Sequence, residues 1–156
     1  MKLIAIGTIR TSFKKIEECP PQGALFKARG QVIVKKRYRE ALSDLEGFSH
    51  VWLVFCFHKC GKFQSKVNPL LDEKPRGLFA TRHPNRPNPI GMTPVKILKI
   101  EDCGFEFEGA DMLDGTPLLD IKPLVKEFDV EGVKNGWIGK VLKDKRFSKR
   151  DSQNKK

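Results

Sequence analysis

The sequence predicts a mainly β protein, built as one compact barrel or sandwich. Several short segments rich in β-branched and aromatic residues are separated by turns that contain glycine or proline, which is the pattern of an antiparallel sheet protein. The strand–helix alternation of parallel α/β folds is missing, and so are the glycine-rich motifs that bind phosphates. At 156 residues, of which 39% are hydrophobic, the chain is long enough for one domain with its own core.

Hydrophobic patterns predict the first strands. Residues 2–9 form a short apolar run, and residues 26–35 alternate around Gly30. The run HVWLVFCF at 50–57 is apolar on both faces, which indicates a strand buried on both sides. The segment FEFE at 105–108 alternates as a half-buried strand does.

The remaining elements are shorter. LFA at 78–80 is strand-like and leads into a proline-rich loop, VKILKI at 95–100 forms the next strand, and residues 103–104 form a turn. A helix of one or two turns is predicted at 38–48. Its apolar face consists of Tyr38, Leu42 and Leu45, and Gly47 ends it.

The net charge of +11 suggests a polyanionic partner, most simply a nucleic acid. Residues 140–156 hold eight Lys or Arg against two Asp and so carry +6 of that charge. A solubilising surface with a frayed tail, or the charge-rich surface of a thermophile, is the alternative explanation. A second dense basic cluster consists of Lys35, Lys36, Arg37 and Arg39.

Other features bear on location and redox state. No apolar run approaches the length of a membrane span, and the first ten residues lack the apolar region of a signal peptide. We therefore expect a cytoplasmic protein with no membrane partner. The cysteines form no CxxC pair, so we expect reduced packing thiols and no zinc site. They are Cys19, Cys56, Cys60 and Cys103.

The segment FATRHPNRPNPIG at 79–91 predicts a stiff, polar loop. Its three prolines fix φ and push each preceding residue towards an extended backbone. Three more polar stretches adjoin apolar strands, namely CPPQG at 19–23, FHKCGK at 57–62 and the loop DMLDGTPLLDIKP at 111–123. Polar loops on a rigid scaffold are where functional sites are usually found.

Two sets of side chains in these loops have open interpretations. Asp111, Asp114 and Asp120 could bind a divalent metal, face a cationic ligand, supply a base or simply cap turns. His58 emerges at the end of an apolar strand and is either structural or functional. No Ser/His/Asp order or GxSxG motif is present, which argues against acyl transfer.

These motifs together closely resemble the TsaA-like, or TrmO, family, once labelled VirR-like proteins. The resemblance covers residues 4 to about 129. Its strongest part is the proline-rich ATRHPNRPNPIG followed by DMLDGTPLLDIKP. The matching segments, in order, are IGTIRT at 6–11, QG at 22–23, LEGFSHVWLVFCFHK at 45–59, GLFATRHPNRPNPIG at 77–91 and DMLDGTPLLDIKP at 111–123.

The resemblance implies a single-domain, antiparallel β-barrel-like fold with short helices. The domain would span residues 1–140, and residues 141–156 would form a basic tail, helical or disordered. Family members bind S-adenosylmethionine, act as homodimers and methylate N6 of threonylcarbamoyladenosine at position 37 of tRNA, beside the anticodon. The chain is similar to the short archaeal-type form.

Site residues follow by position from the resemblance. Two positions depart from the family pattern, since Leu124 replaces a frequent Tyr and His83 replaces a frequent Ser. The implied cofactor contacts are Pro21, Gln22, Gly23, His58, Lys59, Arg82, Met92 or Thr93, Asp114, Gly115, Thr116 and Pro117.

The chemistry expected is an in-line methyl transfer in which stiff loops position the reactants. The acceptor N6 must lose a proton, for which Asp114 is the first candidate base and His58 the second. Arg82 or Arg86 would grip the threonyl carboxylate, and Arg86 is counted with the catalytic residues. The basic cluster at 35–39 and the tail would contact phosphates. The expected substrate contacts are Arg82, His83, Asn85, Arg86, Asn88 and Lys122.

Two other functions fit parts of this pattern. An RNA-binding barrel without catalysis would explain the charge but would leave the rigid loops unexplained. A metal-dependent phosphodiesterase would use the Asp cluster, although no companion His/Asp metal pattern accompanies it.

Overall fold

The structure is a computed structural model that describes residues 2–23, 26–128 and 130–143. It is mainly β, with short helices. The strands are β1 Gly7–Thr11, β2 Arg29–Val34, β3 His50–Cys56, β4 Lys66–Val67, β5 Arg76–Gly77, β6 Ile90–Glu101, β7 Gly104–Glu108 and β8 Thr116–Pro123. The 3₁₀ helices are Ile16–Glu18, Lys36–Leu42, Leu45–Gly47, Leu78–Ala80 and Lys126–Phe128, and the α-helix α1 is Ile138–Lys143.

The chain divides into two compact units, of which the first holds the barrel. This unit comprises Met1–Phe63 and Pro84–Leu124, and the second comprises Gln64–His83 and Val125–Lys156. In the first unit, six antiparallel strands close in the order β1-β2-β7-β6-β3-β8. Closure pairs every strand on both sides, so the barrel has no free edge. The predicted antiparallel barrel is confirmed, and the sandwich is excluded.

The barrel interior is filled by the inward-facing residues of each strand. β3 shows the alternation most clearly, because Val51, Leu53 and Phe55 are buried whereas the outward Trp52 and Val54 are half-buried. The expectation that this strand is buried on both faces was therefore wrong for its outer face. The other large, fully buried side chains of the barrel are Ile9, Val32, Val34, Val95, Phe105, Phe107 and Leu118.

Three predicted elements differ from the structure in extent or type. The first strand starts at Gly7 rather than residue 2, because Leu3 and Ile4 are exposed. The helix predicted at 38–48 is two 3₁₀ helices, separated at Asp44 by a backbone φ of 66°. Its predicted apolar face does pack against the core. LFA at 78–80 is a 3₁₀ helix and not a strand.

The two signature segments contain more strand than expected. β6 begins at Ile90, inside the predicted loop 79–91, and continues through Pro94 to Glu101. In the segment 111–123, only the first part is a loop, because Thr116–Pro123 forms β8 and pairs with both β1 and β3. The expected 111–123 loop is thus a short turn followed by a barrel strand.

The second unit has its own polar framework. Arg76 donates two hydrogen bonds to Asp72, from Nε at 2.8 Å and from an Nη at 2.5 Å, and its guanidinium lies 5.2 Å from the Trp137 ring centroid. The Trp137 indole donates to the Ala80 carbonyl at 2.8 Å. Of the basic tail, 141–143 belong to α1, and 144–156 lie outside the described residues. Among the described helices, none has the length and apolar character that crossing a membrane requires.

Candidate functional site

The barrel topology brings the polar loops of the first unit to one end. In antiparallel strands, the end of one strand lies beside the start of its neighbour. Ile9 in β1 pairs with Thr116 at the start of β8, and Cys56 at the end of β3 pairs with Ile90 at the start of β6. The segments 19–23, 57–62, 84–89 and 109–115 therefore leave or enter the barrel at this same end.

The turn before β8 is fixed by hydrogen bonds from its backbone. The Asp114 and Gly115 amides donate to the carbonyls of Phe13 and Ile9, at 2.8 and 2.9 Å. Gly115 has a φ of 79°, a conformation that favours glycine. Apart from its two chain neighbours, no atom of the described residues lies within 4 Å of the position that its Cβ would occupy, so this turn presents bare backbone to open space.

Asp114 is an ionised carboxylate held by two cations. It pairs with Arg10 Nε at 3.2 Å and with Lys14 Nζ at 2.5 Å, and it accepts a hydrogen bond from the Thr11 amide at 3.2 Å. The Lys14 bond, more than the smaller contributions of Thr11 and Arg10, lowers the pKa of Asp114 below its usual 3.8. Asp114 is consequently a weaker base than an ordinary aspartate.

His58 lies beside the start of β8. Its Nδ1 is 3.5 Å from the Oγ1 of Thr116, and Thr116 itself donates to the Leu113 carbonyl at 2.7 Å. Desolvation, with a smaller contribution from Lys59, lowers the pKa of His58 below its usual 6.5. The imidazole is therefore neutral at pH 7 and has a nitrogen lone pair available.

Hydrogen bonds donated by backbone amides hold the part of the proline-rich loop that belongs to the barrel unit. Asn85 Oδ1 accepts from the Gly61 amide at 2.8 Å, which joins this loop to the segment after β3. The Arg86 amide donates to the Pro84 carbonyl at 2.7 Å, and the Phe57 amide donates to the Pro89 carbonyl at 2.8 Å. This part of the loop is therefore held by hydrogen bonds at several points.

A carboxylate that sequence reasoning assigned no specific role links two further segments. Asp111 accepts from the Gly23 amide at 2.9 Å and from the Thr93 hydroxyl at 2.9 Å. Thr93 points inward and is 5% exposed, whereas the adjacent Met92 points outward and is 53% exposed. Of the two expected alternatives on β6, Thr93 thus faces this cluster. Local sequence patterns carry no signal for a contact between residues 88 positions apart.

The structure brings most of the predicted site residues of the barrel unit to this end. Pro21 and Lys59 are exposed on its loops, and Gln22 is half-buried. Arg82 and His83 belong to the second unit, where the His83 amide donates to Thr81 Oγ1 at 3.3 Å, and their site roles stay predictions. The residues gathered at the barrel end are Pro21, Gln22, Gly23, His58, Lys59, Asn85, Arg86, Asn88, Thr93, Asp114, Gly115, Thr116 and Pro117.

Lys122 is not brought to this site. It lies six residues beyond Thr116 along β8, roughly 20 Å away in an extended strand. Its Nζ is 2.8 Å from Asp120, the neighbouring outward-facing carboxylate. A direct substrate contact at the loop end therefore has no support from the geometry. Among the described residues, no three His, Cys, Asp or Glu form a group that could hold a metal ion.

The basic cluster at 35–39 lies at the other end of the barrel, after β2. Two of its members donate to backbone carbonyls, Lys35 Nζ to Ala5 at 2.6 Å and Arg39 Nε to Val34 at 3.2 Å. The Arg37 guanidinium lies over the Tyr38 ring, 4.5 Å from its centroid. This cluster is thus partly structural and is separate from the loop end.

Comparison with known proteins identifies the family. The model of the tRNA-methyltransferase O N-terminal domain matches residues 8–130. A probable S-adenosyl-L-methionine-binding protein of Pyrococcus abyssi is 44% identical over 138 residues, which cover 86% of this chain and 74% of that protein. The tRNA (adenine(37)-N6)-methyltransferase of Mus musculus is 42% identical over 114 residues, which cover 71% of this chain and 26% of the mouse protein.

Solved structures agree with this assignment. A crystal structure of TrmO superimposes with a TM-score of 0.75 at 40% identity, covering 87% of this chain and 63% of the TrmO chain. The present chain thus spans less than two thirds of that TrmO chain and about a quarter of the mouse protein. By its sequence match, its closed barrel and its arrangement of loops, the chain belongs to the tRNA-methyltransferase O N-terminal domain family.

Proposed function

We propose that this chain is an S-adenosylmethionine-dependent methyltransferase that methylates N6 of adenosine 37 in tRNA. The observation that carries the proposal is the gathering of the family's signature loops at one end of a closed barrel. Relatives that are named S-adenosyl-L-methionine-binding proteins and tRNA (adenine(37)-N6)-methyltransferases support the cofactor and the reaction.

The residues at the loop end fit a nucleoside-type cofactor. Gly115 leaves open space beside bare backbone, which permits close approach of a ligand. We assign cofactor binding to the turn at 21–23, to His58 and Lys59, to Thr93 and to the segment 114–117. Bound S-adenosylmethionine supplies an electrophilic methyl group.

We assign proton removal to His58 rather than to Asp114. The acceptor N6 carries a proton that must leave, and an adjacent carbonyl would delocalise the resulting charge. A neutral imidazole with a lowered pKa can accept this proton at pH 7. Asp114 is already engaged by Lys14, Arg10 and the Thr11 amide, so it holds the turn in place instead. This reverses the order expected from sequence.

Threonylcarbamoyladenosine is the substrate that we propose within this class. Its threonyl carboxylate would be gripped by an arginine, for which half-buried Arg86 on the tied loop is our first choice. Asn85 and Asn88 on the same loop are further candidate substrate contacts. Such a contact would favour a substrate that carries this carboxylate over plain adenosine.

The tRNA anticodon loop is the proposed docking partner, since its bases can leave their stack and enter a pocket.

We also propose a homodimer. An apolar groove of about 240 Å³ lies on the outside of the barrel. Met92 and Leu3, 53% and 52% exposed, add apolar surface to that side of the protein. The residues that line the groove are Leu3, Ala5, Cys56, Asn88, Pro89, Ile90, Pro117 and Leu119.

One experiment decides the main proposal. The protein is incubated with S-adenosylmethionine and either threonylcarbamoylated or unmodified tRNA, and the nucleosides are analysed by mass spectrometry. We expect one added methyl group, found only on threonylcarbamoyladenosine. Methylation of plain adenosine would overturn the substrate assignment. Tight tRNA binding without any methyl transfer would instead identify a non-catalytic RNA-binding barrel.

A further inference from the structure

One carboxylate at the loop end connects three separate stretches of the chain. Asp111 Oδ2 accepts from the Gly23 amide at 2.9 Å, and the Thr93 hydroxyl lies 2.9 and 3.0 Å from the two carboxylate oxygens. Thr93 is buried on the inner face of β6, opposite Leu53. Asp111 therefore links the turn at 19–23 to the barrel wall.

The backbone around this link is packed without space for side chains. A Cβ built on Gly23 would lie 2.0 Å from the carbonyl oxygen of Gly109. Gly109 has a φ of 104°, and the amides of Gly109 and Ala110 both donate to the Ala28 carbonyl, at 2.8 and 3.0 Å. The hydrogen bond from Gly23 to Asp111 thus holds two stretches of bare backbone against each other.

We propose that Asp111 is a positioning residue of the cofactor site, which holds the Gln22–Gly23 turn in register with Thr93 and with the segment 112–117. This inference rests on the proposed function, because it takes the turn to be a cofactor contact. Asp111 acts through the turn and not by touching the reacting atoms. Its role is to keep one wall of the site in place before the cofactor binds.

The environment of Cys19 supports the closeness of the same turn to Asp111. Burial, followed by the negative charges of Asp111, Glu18 and Glu17, raises the pKa of the Cys19 thiol to about 11. Removal of the Asp111 charge should therefore make this thiol ionise at lower pH and react faster. Cys19 alkylation thus reports on the turn without any cofactor or RNA.

Three substitutions separate positioning from other roles. Asp111→Asn can keep both contacts, since its carbonyl accepts from Gly23 and its amide donates to Thr93 Oγ1. Asp111→Ala removes both, and Thr93→Val removes only the hydroxyl. A tenfold change in affinity corresponds to about 1.4 kcal/mol. Asp102→Asn, in an exposed turn at the other barrel end, is the matched control.

The affinity for S-adenosylmethionine is measured by titration calorimetry, together with kcat and KM. We expect Asp111→Ala to raise Kd and KM about tenfold or more while kcat at saturating cofactor stays within about threefold of the parent value. Asp111→Asn should restore Kd to within about threefold, and Thr93→Val should lie between them. If Asp111→Ala does not fold, the other two variants decide. We expect Asp111→Asn to lose less affinity for S-adenosylmethionine than Thr93→Val does.

Several results would overturn the proposal. A folded Asp111→Ala that binds the cofactor as tightly as the parent chain would do so. An Asp111→Asn variant that loses as much affinity as Thr93→Val or Asp111→Ala would also do so, because the charge itself would then be required.

The rate of Cys19 alkylation, followed by peptide mass spectrometry, should rise in Asp111→Asn and not in Asp102→Asn. No rise would contradict the closeness of the Asp111 carboxylate to the turn at 19–23. If the parent chain binds no S-adenosylmethionine, the proposed function fails, and the alkylation result still tests the closeness of Asp111 to the turn.

Discussion

His58 and Asp114, the two candidate bases at the loop end, have opposite environments. The ionised carboxylate of Asp114 forms ion pairs with Lys14 and Arg10, and its pKa is lowered mainly by the Lys14 hydrogen bond. His58 has the Thr116 hydroxyl 3.5 Å from Nδ1, and desolvation lowers its pKa. The contacts of Asp114 thus hold a turn in place, whereas the surroundings of His58 leave a neutral base at pH 7.

Replacement of His58 tests its role as the base. We expect His58→Gln to reduce kcat about 10²- to 10⁴-fold, the range for loss of a general base. In the parent chain, kcat/KM should decrease as the pH drops below the pKa of His58, because protonation removes the base. This pKa is lowered from its usual 6.5. His50→Gln is the control, since His50 is exposed at the other end of β3 and contacts Ser49. An unchanged kcat for His58→Gln would exclude it as the base.

Asp114 should contribute to stability in a pH-dependent way. Its pKa is lower in the folded state, so its contribution is fully present above the unfolded value near 3.8 and is lost as pH falls through the folded value. We expect Asp114→Asn to unfold at lower urea concentration at pH 6, and the difference from the parent chain to shrink towards pH 2. A difference of equal size at both pH values would show that the charge is not involved.

At the level of elements, the glycines of the site loops are constrained in different ways. Gly115 has a positive φ but free space around it, whereas Gly23 faces the Gly109 carbonyl at a distance that excludes any Cβ. Strain at a positive φ costs about 1–2 kcal/mol, but a clash with backbone requires the turn itself to move.

We therefore expect Gly23→Ala to lower Tm and to weaken cofactor binding, because the turn must move away from Gly109. Gly115→Ala should lower the free energy of unfolding by only about 1–2 kcal/mol. Gly47→Ala serves as the control, since in the described part of the chain only its two chain neighbours come within 4 Å of its Cβ position, and its φ is not positive. Thermal unfolding and calorimetric titration measure both effects. Equal losses for Gly23→Ala and Gly47→Ala would contradict the close approach.

The strands were predictable from sequence where alternation reports the inner face of the barrel, as for Phe105 and Phe107 in β7. The convergence of the loops was predictable only through the family resemblance, because it depends on strand pairing between distant segments. Lys122 shows the limit. The motif that contains it reads as one loop, yet its second half is a strand that carries Lys122 away from the site. The Asp111–Gly23 link likewise depends on tertiary register and not on local pattern.

At the scale of the whole molecule, the 35–39 basic cluster and the proposed chemistry lie at opposite ends of the barrel. The candidate site occupies one end of the barrel, whereas the cluster at 35–39 lies at the other and gives two of its four cations to backbone carbonyls. Residues 140–156 carry +6 of the net +11. The tail is therefore the larger candidate source of contacts with RNA phosphates.

The contribution of the tail can be measured through the salt dependence of tRNA binding. A chain that ends at 143 loses six Lys or Arg and two Asp. Each phosphate contact adds about 0.7 to 0.9 to the slope of log affinity against log salt. If the tail contacts the RNA backbone, the shortened chain should show a shallower slope and weaker binding at low salt, with unchanged affinity for S-adenosylmethionine. Lys36→Ala is the comparison variant, because it removes one positive charge from the cluster at the other barrel end. Lys36 is chosen over Lys35 because the Lys35 side chain donates a hydrogen bond to the Ala5 carbonyl. An unchanged slope for the shortened chain, with a reduced slope for Lys36→Ala, would place the phosphate contacts on the 35–39 cluster instead.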